Sequence, residues 1–298
     1  MSYRTALSEV LADVVRPVAE ATRVQDRFPR GTVTALGRAG LLGLTVSAEL
    51  GGGGMELREA ADVVTRTAPV CPSTAAVLLS HYTAVAVLEA YGCPWVRGEI
   101  ATGRHLASLA LAESESGADG GGSGNADPLL APRSVATGSG GVVALRGRKR
   151  GVVAAGEADT YVWSSRPLAA PGGLTLWAVP AHAPDLFVPA RPGAEGPRGT
   201  ATSTVFADPV LVPAEAMLGA DGGGLDVVLR TVLPWLLELR AAAQPFQPAA
   251  AEPSRPPTTE PSRPPTIEQV RPPTIEQVRP TPAEPADTRR QADSLAAS

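Results

Sequence analysis

Apolar residues recur three and four positions apart through the first hundred residues of the chain. Val10, Leu11, Val14, Val15 and Val18 line one helical stripe, and Val33, Leu36, Leu41 and Leu42 line a second. Residues 44–55 (LTVSAELGGGGM) predict a loop, because four successive glycines cannot hold a helix. A helix is predicted over about 56–68. Pro72 and Ser73 then open a longer one, 74–91, closed by Gly92. It is apolar around its whole girth, the pattern of a helix buried in a bundle. Pro94 starts a short helix that ends near Thr102.

From His105 the period changes. Short β-prone runs at 108–111, 142–145, 160–164, 174–179 and 203–206 are separated by glycine, proline and asparagine, which predicts a small antiparallel sheet domain. Helical spacing returns at 224–243, where Pro245 and Pro248 stop it. The expected fold class is therefore α+β: a helical domain (1–105), a β domain (106–221), a C-terminal helix (222–244) and a tail (245–298).

Composition separates the tail from the rest. Residues 1–244 hold all 31 glycines and 17 of the 30 prolines; residues 245–298 hold no glycine and 13 prolines. An octapeptide period runs through the tail: EPSRPPTT (252–259), EPSRPPTI (260–267), and RPPTIEQV at 263–270 and again at 271–278. Such a segment has polyproline II character and too little apolar area to offset its ordering entropy, so disorder is expected. Its proline spacing suits an aromatic-lined groove, or is repeat expansion without a role.

Charge narrows the partners. A net charge of −4 and a pI near 5.5 leave no footprint for nucleic acid. The one dense basic run, Arg146-Gly-Arg148-Lys149-Arg150, reads as a solvated hairpin rather than a phosphate patch. Arginine outnumbers lysine 25 to 1, with Lys149 the single lysine. No window of about 20 apolar residues marks a membrane span, and the N-terminus lacks the apolar core of a signal peptide. Cys71 and Cys93 have no metal-ligand spacing, nor do the three histidines, so no metal is expected and a cytoplasmic setting is. The glycines at 120–124 lack the strand–GxGxxG–helix context of a dinucleotide site.

Several strings, in order, resemble the acyl-CoA dehydrogenase family of flavoproteins. Residues 40–57 (GLLGLTVSAELGGGGMEL) look like its loop between early helices. The run Leu109-Ala-Leu-Ala-Glu113-Ser-Glu-Ser-Gly117-Ala-Asp119 is similar to its first flavin-contacting strand and turn. Residues 145–159 follow its second flavin-contacting strand, and 198–219 its closing strands. Leu233-Pro234-Trp235 matches a string of a bacterial subgroup. The resemblance ends inside the first helix of the C-terminal four-helix bundle.

That resemblance implies FAD as cofactor and a thioester of CoA or acyl carrier protein as substrate. A carboxylate would remove the α-proton while the flavin accepts the β-hydride. It also implies a homo- or hetero-oligomer. Leu109, Leu111, Ala112, Gly117, Ala118, Gly151, Val152 and Val153 fall at the flavin-contacting positions. Ala112 replaces a threonine, Ser114 a proline, Ala118 a serine, and Gly151-Val152-Val153 a Trp-Ile-Thr. Each lost hydrogen bond to a buried partner is worth about 1 kcal/mol, so reduced FAD affinity is expected.

The base is the open question. Most of the family carry it beyond the matched region; some carry it in the first bundle helix, at the position of Val228. Glu238 is the candidate carboxylate in that helix, with a solvent-facing carboxylate as the plainer reading. His81 falls where flavin monooxygenases of the same fold can place a histidine, or is a satisfied core imidazole. Glu113 and Asp119 flank the flavin turn and read as turn caps, with acid/base work as the alternative. Three functions stand: a dehydrogenase that takes its bundle and base from a partner, a non-catalytic remnant or interaction protein, and a flavin monooxygenase.

Overall fold

The computed structural model describes residues 2–113, 132–189 and 196–244. The octapeptide tail, Gly117, Ala118, Asp119 and the glycines at 120–124 lie outside the described residues. Helix α1 (Tyr3–Val10), capped by the Ser2 hydroxyl, runs through a π turn (Leu11–Val15) into α2 (Arg16–Gln25). Leu7, Leu11 and Val15 are buried four residues apart, as the apolar stripe requires. Helix α3 (Arg30–Arg38) is shorter than the predicted one: Gly40 turns left-handed at φ +75°, and Leu41 and Leu42 are buried beyond the helix end.

Helix α4 (Leu57–Thr67) starts in a reciprocal capping box between Glu56 and Glu59. Helix α5 (Pro72–Tyr91) packs against α4, strand β1 (Ala107–Ala110) and the C-terminal helix α8 (Leu233–Ala243). It corrects one expectation, because with a mean hydropathy of 1.2 it is long and apolar enough to cross a membrane. However, 72% of that window is buried inside the fold, as in a core helix. Helix α6 (Pro94–Ala101) leads into the strands.

Among the described residues the β region forms two four-stranded sheets. One has the order β1–β4–β5–β8, with β4 at Thr160–Ser165, β5 at Thr175–Pro180 and β8 at Met217–Leu218. The other runs β2–β3–β7–β6, with β2 at Val135–Ser139, β3 at Val142–Val152, β6 at Leu186–Phe187 and β7 at Ser203–Pro213. All pairs are antiparallel but one: β1 lies parallel to β4, with Ala107 opposite Thr160 and Ala110 opposite Trp163. The polar alternation of β2 and the two-residue lengths of β6 and β8 give weak local signals; β2 and β6 were not anticipated, and β8 only through the resemblance at 198–219.

Strand β3 keeps the basic run solvated at Arg146 and Arg148 and corrects the reading at Lys149. Arg146 and Arg148 are exposed, with Arg146 paired to Asp208, but Lys149 points inward and is wholly buried. Register shifts between Leu145 and Gly147 and between Lys149 and Val152 turn the strand as it passes under the fold.

After β8, α7 (Gly224–Val227) and a π turn (Val228–Val232) continue into α8. Both π turns immediately precede a helix with proline in its first turn, Pro17 and Pro234. Proline donates no N–H and crowds the carbonyl four residues back, and one wider turn relieves both. The helices and sheets share their cores: Leu7, Leu78, Tyr82, Trp163, Trp177, Val210 and Leu239 belong to one cluster. Val85, Leu88, Val162, Leu176, Val227 and Val232 belong to a second.

Candidate functional site

The ends of β1 and β3, the middle of α5 and the C-terminal helix enclose a cavity of about 400 Å³. Leu109, Leu111, Gly151 and Val153 line the sheet side, Leu79 and Ser80 come from α5, and Val228, Val232, Leu233 and Leu236 form the helical wall. Ala112, Glu113, Arg150 and Arg240 supply the remaining lining.

A chain of buried hydroxyls fixes the sheet side. Ser108 Oγ donates to the Val153 carbonyl at 2.5 Å, and Ser80 Oγ lies 2.9 Å from Ser108 Oγ. The Leu109 N–H donates to Ser80 Oγ at 3.3 Å. Because the Ser108 proton is spent on Val153, the Ser80 hydroxyl must donate to Ser108. Three elements remote in sequence are thereby locked at one wall.

Glu113 is buried and turned away from a proton-abstracting role. Its carboxylate accepts from the Arg133 and Ser134 N–H groups, from Ser134 Oγ at 2.6 Å, and from Lys149 Nζ. Lys149 also donates to Ser164 Oγ at 2.8 Å and sits 5.2 Å from the centre of the Trp163 ring. Burial alone would raise the Glu113 pKa; the Lys149 charge and the hydrogen bonds outweigh it and hold the carboxyl below its ordinary range. Burial pushes Lys149 down to about 8, with Glu113 opposing, so both remain charged at neutral pH. Removing one partner alone would strand a buried charge, at about 3–5 kcal/mol.

His81 does not line the cavity. It is wholly buried in α5, with Nε2 2.9 Å from the Leu42 carbonyl and Nδ1 3.1 Å from the Ala107 N. The Ala107 amide can only donate, so Nδ1 accepts and the ring proton sits on Nε2, donating to Leu42. Burial lowers its pKa to about 4. His105 is also buried, 2.8 Å from Thr160 Oγ1.

Of the predicted flavin-contacting residues, Leu109, Leu111, Ala112, Gly151 and Val153 converge on the cavity. Val152 points into the core instead, because strand alternation sends it to the opposite side from its neighbours. Glu238 is exposed beside Met55, Leu57, Arg58 and Trp235, away from the cavity, while Val228 stands in the helical wall. The Ser80–Ser108 chain and the Lys149–Glu113 pair had no local signature, since each joins residues 28 and 36 positions apart. Among the described residues no group of three or more metal-ligating side chains occurs.

The lining fits a flat, largely apolar ring edged by polar backbone. Gly151 is left-handed at φ +59°, and a Cβ built there would meet nothing within 4 Å, so space lies open before it. The volume lies within the usual range for small-molecule sites, and an apolar wall with few polar groups is their usual composition.

The fold is similar to that of the acyl-CoA dehydrogenases. Residues 2–101 match the family described as "Acyl-CoA dehydrogenase, N-terminal domain". The short-chain specific acyl-CoA dehydrogenase of Clostridium acetobutylicum is 24% identical over 241 residues, covering 77% of this chain and 60% of the relative. Butyryl-CoA dehydrogenase from Megasphaera elsdenii superposes with a TM-score of 0.70 at 19% identity, over 81% of this chain and 63% of that one. FMN-bound TdsC from Paenibacillus gives 0.68 at 19%, over 80% and 61%. The first hundred residues are thus an acyl-CoA dehydrogenase N-terminal domain, and the described chain has the acyl-CoA dehydrogenase fold. It spans about 60% of the length of the relatives it matches.

Proposed function

We propose that this chain binds FAD in the cavity and forms the flavin-holding part of an oxidoreductase that removes two hydrogens from an acyl thioester of CoA or acyl carrier protein. The observation that carries the reading is convergence: segments 109–113 and 150–153, read separately as flavin-contacting, meet as one wall of a single cavity. Bound there, a flavin would supply the hydride acceptor. The protein's part is to hold and shield. Leu109, Leu111 and Val153 offer apolar contact from the sheet, and Val228, Val232 and Leu236 exclude water from the helical side. The serine chain keeps the Val153 segment in place.

No described residue is placed to take the α-proton. Glu113 is the one carboxylate lining the cavity among the described residues, and it is committed to Lys149. The base would therefore come from a partner chain or from residues outside those described. We place the activity in the cytoplasm, in keeping with two cysteines that remain free thiols.

The test is spectroscopic. Purified protein incubated with excess FAD and desalted should retain visible flavin absorbance, and acyl-CoA thioesters should not bleach it in the absence of a partner. Val228→Glu, which adds a carboxylate to the cavity wall, should confer thioester-dependent bleaching. Failure of the wild-type chain to hold any FAD removes the proposal. Flavin retained without bleaching in either protein would reduce it to a flavin-binding module.

A further inference from the structure

Lys149 is the single lysine in a chain with 26 basic residues. Whatever favours arginine at the other positions is overridden here, and the structure shows a physical reason. The side chain is wholly buried, and its three ammonium hydrogens have three destinations: Glu113, Ser164 Oγ and the face of Trp163. A guanidinium carries five N–H donors in a rigid plane and is longer and wider. In this closed slot it would bring two donors with nothing to receive them.

The pair also sits where the fold needs a clasp. Strands β1 and β3 supply the two halves of the cavity's sheet wall, yet they belong to different sheets and share no ladder. Besides the Ser108–Val153 bond described above, what joins their ends is a small set of bonds around the pair. The Arg150 N–H donates to the Ala112 carbonyl at 2.8 Å, each adjacent in sequence to one of the charged partners. Ser164, which receives from Lys149, lies 3.4 Å from the Leu111 carbonyl. Stability gives no reason to keep such a pair, since a buried ion pair can often be replaced by uncharged residues of similar size without loss. Geometry does give one.

We infer that the buried Lys149–Glu113 pair is a positioning element of the flavin site: it clasps the β1 and β3 ends in register, in a slot that admits lysine and not arginine. The flavin half of this inference rests on the function proposed above; the clasp itself does not. Two readouts therefore separate them. The first is amide hydrogen exchange at Arg150, whose N–H closes the two walls. The second is the FAD dissociation constant.

In the full chain, the neutral near-isosteric double variant Lys149→Met/Glu113→Gln should melt within a few degrees of wild type. Its Arg150 amide should exchange at least tenfold faster, and its FAD affinity should fall at least tenfold. Lys149→Arg should lose Arg150 protection as well. Glu113→Asp, which keeps the Lys149 charge paired while drawing the carboxylate back by one methylene, is read the same way if the double variant does not fold. Arg150 protection unchanged in these variants, or preserved in Lys149→Arg, overturns the clasp. Protection lost with FAD affinity unchanged overturns its role in positioning flavin. A wild-type chain that binds no FAD overturns the flavin half, while exchange at Arg150 still decides the clasp.

Discussion

At the scale of single residues, the imidazole of His81 makes stability depend on pH in a stated direction. Its folded pKa, about 4, lies below the ordinary 6.5, because burial disfavours the charged form. Between pH 6.5 and 4 the unfolded chain takes a proton that the folded chain refuses. The stabilising contribution is therefore complete above 6.5 and is lost as pH falls towards 4. The shift corresponds to about 3 kcal/mol, or roughly 10 °C in melting temperature. His81→Gln should melt lower at pH 8, and the gap to wild type should narrow as the pH is brought to 5 and below. A gap independent of pH would show that the ring is not held neutral. Ala112 and Val153 allow a gain-of-function check. Both line the cavity where the resemblance expects threonines, and each recovered hydrogen bond is worth about 1 kcal/mol. Ala112→Thr/Val153→Thr should thus raise FAD affinity about tenfold or more, measured by flavin fluorescence titration. Unchanged affinity with the fold intact would place the ring elsewhere.

At the scale of elements, the C-terminal helix carries two faces with different fates. Val228, Val232 and Leu239 are buried against the rest of the fold, whereas Leu229, Leu233 and Leu237, four residues apart, remain 54%, 39% and 59% exposed. An exposed contiguous apolar row of this kind marks an association surface or an aggregation liability. The chain should therefore self-associate at tens of micromolar and bind a hydrophobic dye. Leu229→Gln/Leu237→Gln should reduce both while leaving the melting temperature nearly unchanged, since these are exposed positions. Light scattering decides it: a wild-type monomer without dye binding would show that the row recruits nothing.

At the scale of the whole molecule, the sequence pattern by itself determined the order of the helices and of five of the eight strands in the described residues. Period-3.6 spacing places the early helices, and Gly92 and Pro94 separate α5 from α6 as the local chemistry demands. The strings at 109–119 and 145–159 are marked only by their resemblance to the family's two flavin-contacting strands, not by composition or periodicity. Where burial breaks the local pattern, the sequence is silent. A run of four basic residues out of five reads as solvated, since burying a charge is costly unless a partner receives it. That partner, Glu113, lies 36 residues away. The same distance problem hides the parallel pairing of β1 with β4, the tether from His81 to Leu42 and Ala107, and the serine chain behind the cavity. Periodicity reports that a face is buried, but not what it is buried against. The partners of buried polar groups are chosen by the packing of remote elements, and that only the tertiary structure decided.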